Sequence, residues 1–589
     1  MMLTQGQACC DVLLLNPIES VWGLSHIGWA QWISPTDPDV HALEAVYAKT
    51  FHHLTGNRID FDYGEEQIMA ENHRFGKEQE PLLHIGEASY RIVVVSGMLT
   101  MRETTYDILK TFLADGGKVI FAVELPAYIN GVPSDACREL LKLGAVQVPL
   151  EQVSETIREM QKSMTGAEKI RVDAGEKVFL QTRQDDTTYT AVLLNTDAEH
   201  DADGITVHFC ADENCQAQVW DPESGKRYVL STTEEKNGIA VTVSLEAAGS
   251  MILVFTRDTE ELPVWNPSCG RETGKLTDGE YAYELDEPNV CVLDYTRMKF
   301  DTDTEFGELD EVLRIDNRLR DRLGIERRGG EMLQPWFAKM KYTVPYGKLT
   351  LEYPFYVDVM PEGQVWLAGE RPEVQEYYCN GVRLTNTDPH DWWVDNAFKK
   401  MEIPSGTLKT GENIITIVTD FKRTTNIEAV YLLGKFGVIA KAGESRLVKL
   451  PETLSLTDTA ERNLPFYSGR VTLVIPEQAY GSHVDKAAEK ILVKIPHGTG
   501  TLISVETSAG KQAVAWEPWT ADVTEAVKAG EDLRITLVNS RRNSFGPLHC
   551  VPTLQWAYGP GNFVTDGAGF SDEYARVPAA VGEIGFFCE

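Results

Sequence analysis

Between residues 10 and 165 short apolar runs take turns with helical periodicities, and this alternation restricts the fold more than any other feature. Asp11-Val12-Leu13-Leu14-Leu15 carries apolar residues at consecutive positions, as a strand covered on both faces requires. Asp37-Pro38 then opens a helix carried by Leu43, Tyr47, Phe51 and Leu54 and stopped at Gly56. Residues 59–63, 91–95, 118–123 and 145–148 read as four further strands. Helices over about 101–114, 134–143 and 154–164 lie between or after them, and Gly116-Gly117 stops the first. Strands interleaved with single helices predict a doubly wound parallel sheet, flavodoxin-like, over residues 1–165.

From about residue 166 the pattern changes to short strands at near-regular spacing, at 177–180, 189–195, 205–209, 217–220, 228–230 and 251–255. Asp221-Pro222-Glu223-Ser224-Gly225 is a turn, since proline presets φ and glycine accepts a positive one. An antiparallel β-sandwich is expected over 166–269. Residues 270–345 read as a connector, with a strand at 289–295 and a helix through Leu309, Val312, Leu313, Ile315, Leu319 and Leu323.

The last 240 or so residues hold a weak repeat: Lys409-Thr410-Gly411-Glu412-Asn413 and Lys528-Ala529-Gly530-Glu531-Asp532 each precede an alternating strand. Their first lysines lie 119 positions apart (528 minus 409), a domain-sized period. Two jelly-roll or sandwich domains, 346–450 and 451–589, follow from this.

Asp plus Glu outnumber Lys plus Arg by 89 to 55, a formal charge of −34. That field repels phosphate backbones, so nucleic acid is not an expected partner, whereas a neutral glycan meets no such penalty. No apolar run reaches the roughly 20 residues of a membrane span. Met1-Met2-Leu3-Thr4-Gln5-Gly6 has no basic region leading into an apolar one, which points to a cytoplasmic protein. The ten cysteines, scattered except for Cys9-Cys10, fit reduced thiols in that compartment.

Four segments in order carry a resemblance: residues 11–22 (Asp11 to Trp22), Asp60-Phe61-Asp62-Tyr63-Gly64-Glu65-Glu66, Gln334-Pro335-Trp336, and Asn543-Ser544-Phe545-Gly546-Pro547-Leu548-His549. With the Lys-x-Gly-Glu-Asn turn, tryptophan-rich loops and the Asn380-Gly381 hairpin, the chain resembles the C-terminal part of large bacterial glycosyl hydrolases related to glycoside hydrolase family 106, the α-L-rhamnosidases. The resemblance implies galactose-binding-like jelly rolls in the last two domains. It also implies a catalytic (β/α)8 barrel preceding the segment that begins here, bearing the family's acid, base and calcium site. None of those residues is carried over, and this chain shows no cofactor motif of its own. A carbohydrate ligand is expected, together with a barrel-bearing partner chain or self-association through the surface that would meet the barrel.

Ligands of doubly wound sheets sit beyond the carboxyl ends of the strands. Glu19 follows strand one, and Asp60, Asp62, Glu65 and Glu66 lie at or past the end of strand two. They are the only carboxyl cluster that sequence alone nominates for glycoside hydrolysis, which needs two carboxyls about 5–9.5 Å apart. Acidic loops are more often solvated surface or hydrogen-bond hubs between domains. Trp392, Trp393, Trp516 and Trp519 offer faces for sugar rings, with Asp395 or Asn543 for the hydroxyls, although aromatics at this density more often form core. His52-His53 suits a helix C-terminus better than a metal, and Arg541-Arg542 is expected to pair with carboxylates. Gly116-Gly117 lacks any phosphate-loop context, and nothing marks Ser96 beside Gly97 as a nucleophile.

Overall fold

The computed structural model describes residues 2–31, 34–77, 80–162, 164, 169–210, 215–222, 224–266, 270–329, 344–553 and 559–589. Met1, Glu223 and the expected Gln334-Pro335-Trp336 segment lie outside the described residues. The chain forms two compact units, Met1–Ser268 and Cys269–Glu589.

The first unit opens on a five-stranded parallel sheet in the order Val146–Val148, Lys118–Ala122, Ile92–Ser96, Val12–Leu15, Phe61–Gly64. Alternation along the two central strands explains why every residue of both is buried. Leu13, Leu15, Val93 and Val95 face one layer with Leu109 and Phe112 of helix α4 (Glu103–Ala114). Val12, Leu14, Ile92 and Val94 face the other, with Leu54 of α2 (Pro38–Gly56) and Ile157 of α6 (Val153–Lys162). The Asp37-Pro38 start is as expected, the Asp37 carboxylate accepting from the amides of Asp39 and Val40 at 2.9 and 3.2 Å.

Between the second and third strands of the sequence, the chain adds α3 (Glu66–Asn72) and an antiparallel sheet of His73–Lys77, Pro81–Ile85 and Ala88–Tyr90. A short helix α1 (Ile18–Leu24) follows the first strand, and α5 (Cys137–Lys142) precedes the last.

The strands from residue 170 to 256 pair antiparallel. One sheet holds Val178–Gln184, Thr188–Asn195, Ser250–Thr256, Gln216–Trp220 and Arg227–Val229, with Gln7–Ala8 paired at its edge. Ile170–Asp173, Ala202–Cys210, Gly238–Leu245 and Thr233–Glu235 form a second, and residues of both, among them Leu193, Val207, Val243 and Phe255, make one core.

The second unit contains two pairs of sheets, antiparallel except where Glu444–Val448 pairs in parallel with Gly347–Val357. In the first pair, Asn289–Leu293, Val430–Lys435, Glu362–Glu370 and Asp395–Ile403 share a core with Tyr295–Phe300, Gly347–Val357 and Gly411–Phe421 of the other sheet. Helix α7 (Val312–Leu323) adds Val312, Ile315 and Leu319 to that core and ends on Gly324 at φ 66°, where a residue without Cβ is unstrained. In the second pair, Arg271–Leu276, Ile584–Cys588, Ile491–Lys494 and Thr520–Asp522 face Ala282–Leu285, Arg470–Ile475, Leu533–Val538, Leu502–Thr507 and Gly510–Val514. The stretch 270–345, read from sequence as a connector, thus supplies strands to both pairs.

Candidate functional site

The carboxylates nominated at the parallel sheet do not form one group. Glu19, in the first turn of α1, forms an ion pair with Arg102. The backbone N–H of Arg102 donates to Glu66 at 2.8 Å, and its guanidinium also donates to Gln67. Glu66 is buried, and that burial raises its carboxyl above the usual range. Glu65 caps α3, accepting from the Ile68 amide at 2.7 Å. Asp62 lies within the strand and accepts from the Tyr90 hydroxyl at 2.8 Å. Asp60 precedes the strand, which begins at Phe61, and so occupies the sheet's amino end; burial pushes its carboxyl up to about 6.

The tryptophans divide as well. Trp393 is 5% exposed and packs in the first sheet pair with Tyr431, Phe545 and Phe398, at ring separations of 5.2, 5.5 and 6.2 Å. Trp392 beside it is exposed, as is Asp395, whose carboxylate accepts from the Ala397 amide at 2.8 Å. Trp519 packs against the core of the other pair, and Trp516 is exposed. Asn543 is buried and clamps Val577, donating to its carbonyl and accepting from its amide, both at 2.9 Å. Arg541 pairs with Glu287, and Arg542 donates to the Thr553 carbonyl at 2.8 Å. His53 sits in the last turn of α2, where burial lowers its proton affinity.

Trp393 leads to a recess that sequence reading missed. It is a small recess of about 60 Å³ that opens to solvent, and its walls include Tyr431, Phe545, Asp294, Glu311, Glu428 and His549. His549 and Asp294 are both buried, with Nε2 at 3.1 Å from Oδ2; Nδ1 lies 2.8 Å from the Ser571 carbonyl. Both ring nitrogens therefore face acceptors, which an imidazolium satisfies with two N–H donors. Burial is the largest single influence and opposes that charge, but the bond to Asp294 and its charge, with the Ser571 carbonyl and the Glu311 charge, together outweigh it and raise His549's proton affinity. The Tyr574 hydroxyl donates to the remaining Asp294 oxygen at 2.7 Å.

Glu311 caps α7, accepting from the Arg314 amide at 3.0 Å, and burial raises its carboxyl to about 7. Glu428 is held by Arg328, 2.7 Å away. Arg320, fully buried, fixes the loop that bears Glu428: it donates to Asp316 at 2.9 Å and to the carbonyls of Arg423 and Thr425 at 3.0 and 2.8 Å. Burial and then the Glu428 charge raise nearby Glu370 to about 7. Of the recess residues named, His549 and Phe545 fell inside a segment singled out from sequence. A carboxylate three positions before Arg314, at the start of an apolar helical stripe, was the one local signal for Glu311.

Among the described residues no group of three or more His, Cys, Asp or Glu side chains is placed to hold a metal ion.

No protein-family model matches the chain, and no curated protein does. Among solved structures it is similar to a rhamnosidase from Novosphingobium sp. PP1Y, at 16% identity and a TM-score of 0.31, over 72% of this chain and 36% of that one. An exo-carrageenase of glycoside hydrolase family 42 from Bacteroides ovatus is 12% identical over 42% of this chain and 29% of that one, with a TM-score of 0.28. α-L-Fucosidase isoenzyme 2 from Paenibacillus thiaminolyticus is 11% identical over 44% and 50%, with a TM-score of 0.27. These neighbours are glycoside hydrolases, and the chain spans 36% of the length of the rhamnosidase it matches.

Proposed function

We propose that this chain is the accessory portion of a glycoside hydrolase of α-L-rhamnosidase-like type, with unit 2 binding carbohydrate. In this reading a flavodoxin-like domain and a β-sandwich precede two galactose-binding-like jelly rolls. The acid and base that cleave the glycosidic bond are assigned to a barrel outside this sequence, on a partner chain or elsewhere in a longer polypeptide.

The recess of unit 2 carries the proposal. A pyranose presents apolar C–H faces and a rim of hydroxyls, and it is held by flat apolar walls with a few placed polar groups. Tyr431 and Phe545 supply such walls, while Glu311 and Glu428 supply oxygens on the same surface. Glu311, with its carboxyl raised to about 7, both donates and accepts near neutrality. Exposed Trp392 and Asp395 add contacts in this reading, and buried Trp393 and Asn543 support the site from behind.

Titration calorimetry with L-rhamnose, L-fucose and D-galactose tests it. At least one sugar should bind, and Glu311→Gln or Glu428→Gln should weaken binding with unchanged circular dichroism. Failure of all three to bind would overturn the reading.

A second reading, a non-catalytic carbohydrate-binding or scaffold protein, is favoured by the ties on the nominated acids: Glu19 and Glu66 both engage Arg102, and Glu65 caps a helix. Sugar binding with no turnover of aryl glycosides, alone or with a candidate barrel chain, selects it. Turnover by the chain alone, lost in Glu19→Gln or Asp62→Asn, excludes both readings.

A further inference from the structure

Four segments beyond the carboxyl ends of the parallel strands are stitched into one platform. The strap at 97–102 lies at its centre: Ser20 Oγ of α1 accepts from the amides of Leu99 and Thr100 at 2.9 and 3.2 Å. On another side Glu66 of α3 accepts from the Arg102 amide at 2.8 Å. On a third, the Leu99 carbonyl accepts from the amides of Ala127 and Tyr128 at 3.0 and 3.1 Å, and Thr100-Met101 pairs in parallel with Tyr128-Ile129. The Gly131 amide donates to Thr100 Oγ1 at 3.0 Å, and the Glu103 amide to Asn130 at 3.1 Å. These bonds hold the backbone of α1, the strap, α3 and the 128–133 hairpin in register.

Each of the four pieces raises apolar side chains into solvent. Trp22 on α1 is 59% exposed, Val132 on the hairpin 64%, and Ile68 on α3, Leu99 on the strap and Tyr128 are also exposed. Five exposed apolar side chains carried by one hydrogen-bonded frame favour a docking face over singly scattered surface residues. Glu71 on α3, and Glu103, Glu124 and Asp135 just outside the strap and the hairpin, are exposed carboxylates, while Arg74, two residues past α3, is an exposed cation. Arg102, the one arginine of these segments, which contain no lysine, is engaged by Glu19, and Arg138 faces Asp135 alone at 3.3 Å. A second copy would set carboxylates against carboxylates, within a chain whose formal charge is −34.

The geometry points to this platform as the docking face for a different protein, one whose contact surface is apolar at its centre and lysine- or arginine-rich at its edge. The inference concerns unit 1 and stands independently of the sugar site. Trp22 is the main anchor, because large aromatic side chains dominate interface energetics.

The test uses the full chain and three synthetic 18-residue peptides: an amphipathic leucine/lysine helix, its leucine/glutamate counterpart, and a serine/lysine peptide of equal charge. Hydrogen exchange maps the contact, and fluorescence anisotropy of labelled peptide gives Kd. The leucine/lysine peptide should bind alone and protect amides in 18–24 and 97–102. Trp22→Ser with Leu99→Ser should weaken it about tenfold or more, given the apolar area removed. Glu103→Lys with Glu124→Lys should weaken it and flatten its salt dependence. An unchanged Tm in these surface variants excludes misfolding as the cause. Equal binding of the leucine/glutamate or serine/lysine peptide, protection elsewhere, or unchanged Kd in both double variants overturns the proposal. So does concentration-dependent dimerisation of the chain that Trp22→Ser abolishes, since the occupant would then be a second copy.

Discussion

Nε2 of His549 lies 3.1 Å from Oδ2 of Asp294, and the two residues, 255 positions apart in the chain, meet inside the second unit. Asp294 follows directly on a strand of the first sheet pair, while His549 comes from the loop after residues 542–545. The pair ties that loop to the sheet and forms part of the recess wall.

Removing one partner of such a pair is worse than removing both. Asp294→Asn should destabilise unit 2 by about 3 kcal/mol, because it strips the buried imidazolium of its counter-charge. Asp294→Asn with His549→Gln should cost less than the sum of the single changes. Urea unfolding followed by tryptophan fluorescence checks both.

The same pair sets a pH dependence. His549 binds its proton more tightly folded than its ordinary value of 6.5, so its contribution is fully present below about 6.5 and is lost as pH rises through the higher folded value. Stability of the wild type should therefore fall on the alkaline side of neutrality by an amount absent from His549→Gln. Urea midpoints from pH 5 to 9 measure the difference.

Glu311 acts with the opposite chemistry. Its carboxyl ionises near 4.5 in the unfolded chain and near 7 when folded, so the folded state retains a proton between those values. Stability falls as pH rises across this window and stays lower above it, by about 3 kcal/mol at most. Glu311→Gln should flatten the wild-type stability profile between pH 4.5 and 7.

Arg320→Ala would remove the hydrogen-bonded partner of the buried Asp316 carboxylate, leaving it only Arg328 at 3.8 Å, and release two carbonyls, at Arg423 and Thr425. A loss of about 3–5 kcal/mol is expected, with faster hydrogen exchange over 422–428. Arg320→Lys should not restore it, since a single ammonium cannot reproduce the forked donor geometry.

Ser20→Ala removes the acceptor for two amides of the strap, at Leu99 and Thr100. A loss of about 1–3 kcal/mol and faster exchange confined to 97–102 are expected.

What was legible in the sequence was local. The consecutive apolar residues of Val12–Leu15 announced burial on both faces, and Asp37-Pro38 announced a helix start that the carboxylate does cap. Helices α1 and α3, each seven residues long, were not read from the sequence. The recess was not legible at all. Asp294 and Glu311 meet across a short antiparallel pairing, but Glu428 reaches them only through the pairing of Asn289–Leu293 with Val430–Lys435, and His549 on a loop 255 positions from Asp294, which no local pattern encodes. The same limit separates Trp393 from Trp519: alike in the repeat, they pack in different cores.

Strand Ile584–Cys588 lies between Arg271–Leu276 and Ile491–Lys494. That placement fixes an order of events during synthesis. The intervening sheet pair has all its strands once residue 448 has left the ribosome, but the sheet opened at residue 271 stays gapped until residue 588 emerges. For that interval two edges that belong on either side of the last strand stand open to each other and to neighbouring chains. The nascent chain is at its greatest risk of mispairing there, and that stretch is where a ribosome-associated chaperone would have most effect.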